Sequence, residues 1–275
     1  RRLLRPNASA HTTAPMSGPT EREPTRTELA GSFDAIAAAY ELGRPEYPDA
    51  VLDWWDERGA FEPGHSVLDL GAGTGKLTRL LPIVCELHAV EPLANMRSEF
   101  AAAVPDVDIL GGTAEQIPYP DDTFDTVLVA QAFHWFDQGV ALDEIARVLK
   151  PGGGLGLVWN EDDSDAAPWL AKVVDDKRLM AASTTSTERP VVEVLALHDA
   201  FGLAEEMEHR WELDTTIERV LADVLSRSYV SSLPPEQCLA VLTRTRESIE
   251  AELGTGVESI AYPYRTVAFW VPTAE

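Results

Sequence analysis

The chain has 275 residues, 45% hydrophobic and 25% charged, with 46 acidic against 22 basic residues and a formal net charge of −24. This is an ordinary globular composition, long enough for one large domain or a domain with a cap. No Lys/Arg run follows residue 30, which speaks against a phosphate-tracking nucleic-acid face and against docking on anionic lipid.

Cys85 and Cys238 lie in apolar stretches without metal-ligand spacing and read as reduced, buried thiols, which favours a reducing compartment such as the cytoplasm. No apolar run approaches the roughly 18–20 residues of a membrane span. Neither paired acids nor His clusters fall at metal-ligand spacing, so no metal is expected.

Residues 1–28 lack periodicity. They read as a disordered tail, or as sequence upstream of a start at Met16, rather than as a targeting peptide. Phe33, Ile36, Ala37 and Tyr40 recur at helical spacing behind Ser32. ELGRPEYP (41–48) is a Gly/Pro-broken loop, and a helix follows from Asp49 to Gly59. Residues 29–60 form an N-terminal helical segment ahead of a core spanning 61–275.

From Ser66 strand and helix alternate. HSVLDLGAG (65–73) is a short β run ending in a Gly-rich turn, further strands are predicted at 86–90, 107–110, 124–130 and 155–159, and helices at 76–81, 93–102 and 139–149. Phe124–Ala130 is a near-continuous apolar run, as in a parallel strand buried on both faces. Pro151-Gly152-Gly153-Gly154 reads as a structural turn. Further on, helices are predicted at 169–180, 191–201 and 217–253 (broken at Pro234-Pro235), and strands at 208–214 and 265–271. The alternation predicts an α/β fold with a doubly wound, Rossmann-like open sheet. Two insertions, about 161–189 and 215–258, are candidate caps over the crevice at the carboxyl ends of the strands.

The strongest motif is VLDLGAGTG (67–75), an apolar strand ending in Asp69 and a glycine-rich turn. A phosphate P-loop fails, because Leu70 and Leu77 stand where its first glycine and its hydroxyl belong. A dinucleotide fingerprint fits poorly, because Lys76 replaces its last small residue. A turn without a ligand is the bland alternative. S-adenosylmethionine carries no pyrophosphate. It needs open backbone near its amino-acid part and an acid near its ammonium, and Asp69 meets that need.

Glu91 ends the second strand 20 residues after Gly71, where an acid can accept hydrogen bonds from both ribose hydroxyls. Met96, one turn on, would pack on adenine or in the core. The loop GGTAEQIP (111–118) can present Thr113, the Ala114 amide and Glu115 to the adenine edge. AQAFHWFD (130–137) follows the fourth strand at the crevice, and Asn160 ends the fifth.

Together FDAIAAAY…GRPEYP, VLDLGAGTGKLT, VEPLANM, GTAEQIPYPDDTFD, AQAFHWFD and EIARVLKPGGGLGLVWN resemble the class I S-adenosylmethionine-dependent methyltransferases. They are most similar to the small-molecule branch that includes trans-aconitate methyltransferase-like and ubiquinone/menaquinone-biosynthesis-like enzymes. The resemblance covers about residues 30–160 and implies the seven-stranded sheet of that fold. It implies that Asp69, Gly71, Ala72, Gly73 and Gly75 border the methionine part of S-adenosylmethionine. It implies that Glu91 holds the ribose beside Pro92 and Met96, and that Thr113, Ala114 and Glu115 face adenine. Gln131 and Ala132 would adjoin the cofactor, with Phe133, His134 and Trp135 bordering the methyl-transfer chamber. Tyr40 and Arg44 would close over the cofactor, Arg44 facing a carboxylate. One departure is Thr113, which stands where many members carry an acid.

The expected reaction is in-line methyl transfer to an oxygen, nitrogen or carbon of a small-molecule acceptor, with S-adenosylhomocysteine as the product. The chain's part is alignment and exclusion of water. Catalytic candidates are His134 as base, Trp135 and Tyr40, and Asn160 is a candidate acceptor contact. The alternatives are an S-adenosylmethionine-binding cyclase or decarboxylase, and a nicotinamide-dependent oxidoreductase.

Overall fold

The computed structural model describes residues 41–167, 169–171 and 191–274. Seven strands form one sheet in the order β3-β2-β1-β4-β5-β7-β6. They are β1 (Ser66–Leu70), β2 (Glu86–Val90), β3 (Ile109–Leu110), β4 (Phe124–Ala130), β5 (Leu149–Asp162), β6 (Glu205–Thr215) and β7 (Ile260–Pro272). The first five are parallel, and β7 runs antiparallel to both β5 and β6. The helices are α1 (Asp49–Asp56), α2 (Ala94–Ala103), α3 (Gln138–Val148), α4 (Val191–Ala196), α5 (Ile217–Ser226), α6 (Ser228–Ser231) and α7 (Pro235–Leu253). This is the seven-stranded α/β sheet that the motifs imply.

Alternate residues of the central strands feed two cores. Leu68, Val127, Val129 and Leu157 pack with Leu142 and Ile145 of α3. Val67, Leu128 and Val158 pack on the other face with Val51 and Trp55 of α1. Burial on both faces explains why these strands read as apolar runs without alternation. The Trp55 indole donates to the Phe269 carbonyl at 3.1 Å, which ties α1 to β7.

Several expected boundaries shift. The helix expected at 76–81 is a single 3₁₀ turn, Thr78–Leu80. Leu81 must be extended ahead of Pro82, and Thr78 is turned inward toward Asp69. β5 begins at Leu149 rather than Leu155, and the expected turn at 151–154 is a register irregularity within the strand. Gly154 is required there for a second reason: a Cβ would collide with the Trp270 ring. β6 and β7 are longer than expected because they pair with each other from Glu205↔Trp270 to Thr215↔Ile260. The 191–201 helix stops at Ala196.

Helices α5, α6 and α7 fill the β6–β7 connection, with an unforeseen break at the extended Arg227. Ile217, Val220 and Ile249 close on Tyr262 and Tyr264 of β7 and on Trp169. Tyr40, residues 1–28 and most of the helix expected at 169–180 lie outside the described residues. Cys85 is buried, and Cys238, expected buried, is only half-buried; both are free thiols. Among the described residues no helix is long and apolar enough to cross a membrane.

Candidate functional site

The parallel strands β1, β2 and β4 end on one edge of the sheet, and the sequence motifs converge there. After β1 the chain turns through Gly71, Gly73 and Gly75 with φ of 75°, 56° and 86°, values that strain any residue with a Cβ. A Cβ on Gly71 would come within 2.9 Å of Ala132, and one on Gly75 within 2.7 Å of Val104. One on Gly73 would meet no atom within 4 Å. The outer glycines therefore let the turn close on its neighbours, and the middle one leaves backbone open to a ligand. Ala72 is buried against Ala89 and Phe100, behind the turn.

Asp69 is 1% exposed. Its Oδ2 accepts the Thr78 hydroxyl at 2.6 Å, while Oδ1 has no hydrogen-bond partner. Burial pushes this carboxyl up to about 7; the Thr78 hydrogen bonds oppose the rise and the Glu91 charge adds to it.

Glu91 directly follows β2. It accepts the Leu93 amide at 2.8 Å and the Gly73 amide at 3.1 Å, so it clasps the glycine turn while each oxygen keeps a lone pair. Burial raises its carboxyl as well. Two buried acids thus lie at adjacent strand ends beside the glycine turn. Pro92 is exposed beside Glu91, its carbonyl accepting Arg97, and Met96 is buried in α2.

In the loop after β3, Thr113 is exposed and bridges to Gln116, while Ala114 is buried. Glu115 accepts the Asp137 amide at 2.8 Å, bracing the start of α3. After β4, Gln131 takes a left-handed φ of 55°. Its side chain donates to the Asn160 carbonyl at 2.8 Å. Ala132 abuts Gly71, and Phe133–Trp135 form a 3₁₀ turn with Phe133 buried, Trp135 half-buried and His134 exposed. His134 Nδ1 accepts the Trp159 indole N–H at 3.4 Å. A pocket of about 280 Å³ lies beside this turn, lined by Phe133, His134, Trp159, Glu161, Val267 and Phe269 among others.

Two expected residues have protein partners. Asn160 is buried, donates to the Glu46 carbonyl at 3.1 Å and accepts the Thr266 hydroxyl at 2.6 Å, which braces the end of β5. Arg44 turns to α5, where its Nε donates to the Ser226 hydroxyl at 3.0 Å and lies 3.3 Å from the Asp223 carboxylate in an ion pair. Sequence reasoning missed Thr78, whose only signal is a hydroxyl in an otherwise apolar register of the loop. It also missed Glu41, which meets Thr74 and Arg79 across the glycine turn.

Residues 68–157 match the family model described as a methyltransferase domain. An uncharacterised methyltransferase of Mycobacterium tuberculosis is 37% identical over 245 residues, covering 88% of this chain and 96% of that one. The solved structure of a putative type II methyltransferase from Anaeromyxobacter dehalogenans is 26% identical with a TM-score of 0.56, covering 84% of this chain and 97% of that one. At 14% identity and a TM-score of 0.52, covering 91% of this chain and 58% of that one, the fold also matches phosphoethanolamine N-methyltransferase 2 of Haemonchus contortus, solved in complex with S-adenosyl-L-methionine. The chain belongs to the class I S-adenosylmethionine-dependent methyltransferases.

Proposed function

We propose that this enzyme methylates a small-molecule acceptor held beside the turn after β4. The observation that carries the reading is the pocket of about 280 Å³ lined by Phe133 and His134, a volume suited to a small acceptor rather than to a macromolecular segment. The acidic surface supports it, since it repels nucleic acid.

The cleft residues fit S-adenosylmethionine. The partnerless Asp69 Oδ1 suits the ammonium of its amino-acid part, and the open backbone at Gly73 suits close approach. Glu91 has a lone pair on each oxygen for two ribose hydroxyls, with Pro92 and Met96 beside it. Thr113, Ala114 and Glu115 border adenine, and Gln131 and Ala132 adjoin the sulfur. When bound, the cofactor supplies an already activated methyl group on a sulfonium. Phe133 and Trp135 wall the acceptor and exclude water, so the chain's work is alignment.

His134 is the candidate base for an acidic O–H or N–H acceptor. Because Nδ1 accepts from Trp159, the neutral ring carries its proton on Nε2, and taking up a second proton at Nδ1 displaces the indole. Residues 41–60 of the N-terminal segment close toward the cofactor side, held to the glycine turn by Glu41, and the β6–β7 insertion caps the crevice at the strand ends. Both thiols are free, which supports a reducing compartment such as the cytoplasm.

Incubation with methyl-labelled S-adenosylmethionine and separate pools of metabolites, protein and RNA tests this. Label is expected in the metabolite pool, with equimolar release of S-adenosylhomocysteine. Label confined to protein or RNA would overturn the acceptor class. Cofactor turnover without S-adenosylhomocysteine would point instead to cyclase- or decarboxylase-type chemistry.

A further inference from the structure

We infer that residues 41–46 act as a strap coupling the glycine turn to α5, so that filling the cofactor site steadies α5 and the β6–β7 insertion it opens. The inference rests on the reading that the glycine turn seats S-adenosylmethionine, and it makes Glu41 and Gly43 positioning residues.

On the turn side, the Glu41 carboxylate accepts the Thr74 hydroxyl at 2.6 Å and Arg79 Nη2 at 2.8 Å, with Lys76 Nζ at 3.6 Å. Lys76 also donates to the Glu41 carbonyl at 2.9 Å, and Arg79 Nε meets Glu46 at 2.9 Å. Thr74 and Lys76 flank Gly75, so any shift of the turn is felt by one carboxylate.

On the cap side, Arg44 Nε donates to Ser226 and forms an ion pair with Asp223, and Arg219 Nε donates to the Leu42 carbonyl at 3.3 Å. Gly43 rests directly on the backbone of Ala222 and Asp223, where a Cβ would collide. Between the two ends, the Glu46 carbonyl accepts Asn160, whose own carbonyl accepts Gln131.

The two attachments differ in kind. On the cap side Gly43 lies against the backbone of Ala222 and Asp223, so the strap and α5 move together. On the turn side the joint runs through the Glu41 carboxylate, 36% exposed, to Thr74, Arg79 and the buried Lys76. Whatever orders the turn tightens that joint and, through Gly43 and Arg44, holds α5 in place. Both sites then bias one two-state element.

Amide hydrogen exchange on the full chain, with and without saturating S-adenosylhomocysteine, tests the coupling. The ligand is expected to slow exchange in residues 71–81 and, by about tenfold, in α5. In Glu41→Gln and in Gly43→Ala the protection of 71–81 is expected to remain and that of α5 to vanish. Protection of 71–81 with α5 unchanged in the native chain would overturn the coupling and leave the cofactor reading intact. Persistence of α5 protection in both variants would also overturn it. Absence of any S-adenosylhomocysteine binding would overturn the cofactor reading and the coupling with it.

Discussion

Asp69 and Glu91 show how two carboxylates at adjacent strand ends come to differ. Glu91 is satisfied by two backbone amides, whereas Asp69 keeps a buried oxygen with no partner. On the proposed reading, removing either side chain would leave polar groups of the bound cofactor unpaired. Asp69→Ala and Glu91→Ala should each weaken S-adenosylhomocysteine binding by about 1–3 kcal/mol in a calorimetric titration.

Asp69 also sets a pH dependence. Its carboxyl titrates at about 7 in the fold and near about 3.9 in the unfolded chain. Its favourable contribution to stability is thus full below about pH 4 and is lost as pH rises through 7. Denaturant unfolding of the ligand-free protein across that window should show this decline, and Asp69→Asn should remove that component. Ligand affinity should run the other way, rising with pH through 7, because the cofactor's ammonium favours the ionised carboxylate.

The acids were legible in the sequence because strand ends and glycine spacing locate them. Thr78, Glu41 and the bracing role of Asn160 were not. Their partners lie 9, 33 and 106 residues away, and no local pattern records such distances.

At the scale of elements, β1, β2 and β4 were readable because a strand buried on both faces leaves an uninterrupted apolar run. β5 was not, since Gly152–Gly154 have the composition of a turn while the register irregularity keeps them in the strand. β6 was cut short because its outer face is charged: from Glu206 to Asp214 its residues alternate between exposed and half-buried. α1 is fixed by Trp55, which is fully buried and hydrogen-bonded to β7. Trp55→Ala should cost about 3–5 kcal/mol, through lost burial and a cavity. A loss below about 1 kcal/mol in urea denaturation would contradict that role.

For the whole molecule, the net charge of −24 contributes self-repulsion that salt screens. The melting temperature should rise from low to physiological ionic strength, as scanning calorimetry can check, and a fall would contradict the prediction. The same charge is consistent with the small-molecule acceptor proposed above and disfavours a polyanionic one.

Titration of the native chain with S-adenosylhomocysteine tests the proposed cofactor site. One ligand per chain is expected, with a binding constant weakened roughly 5–150-fold, equivalent to about 1–3 kcal/mol, by Asp69→Ala and by Glu91→Ala. Saturable binding that both variants leave unchanged would place the cofactor elsewhere and contradict it.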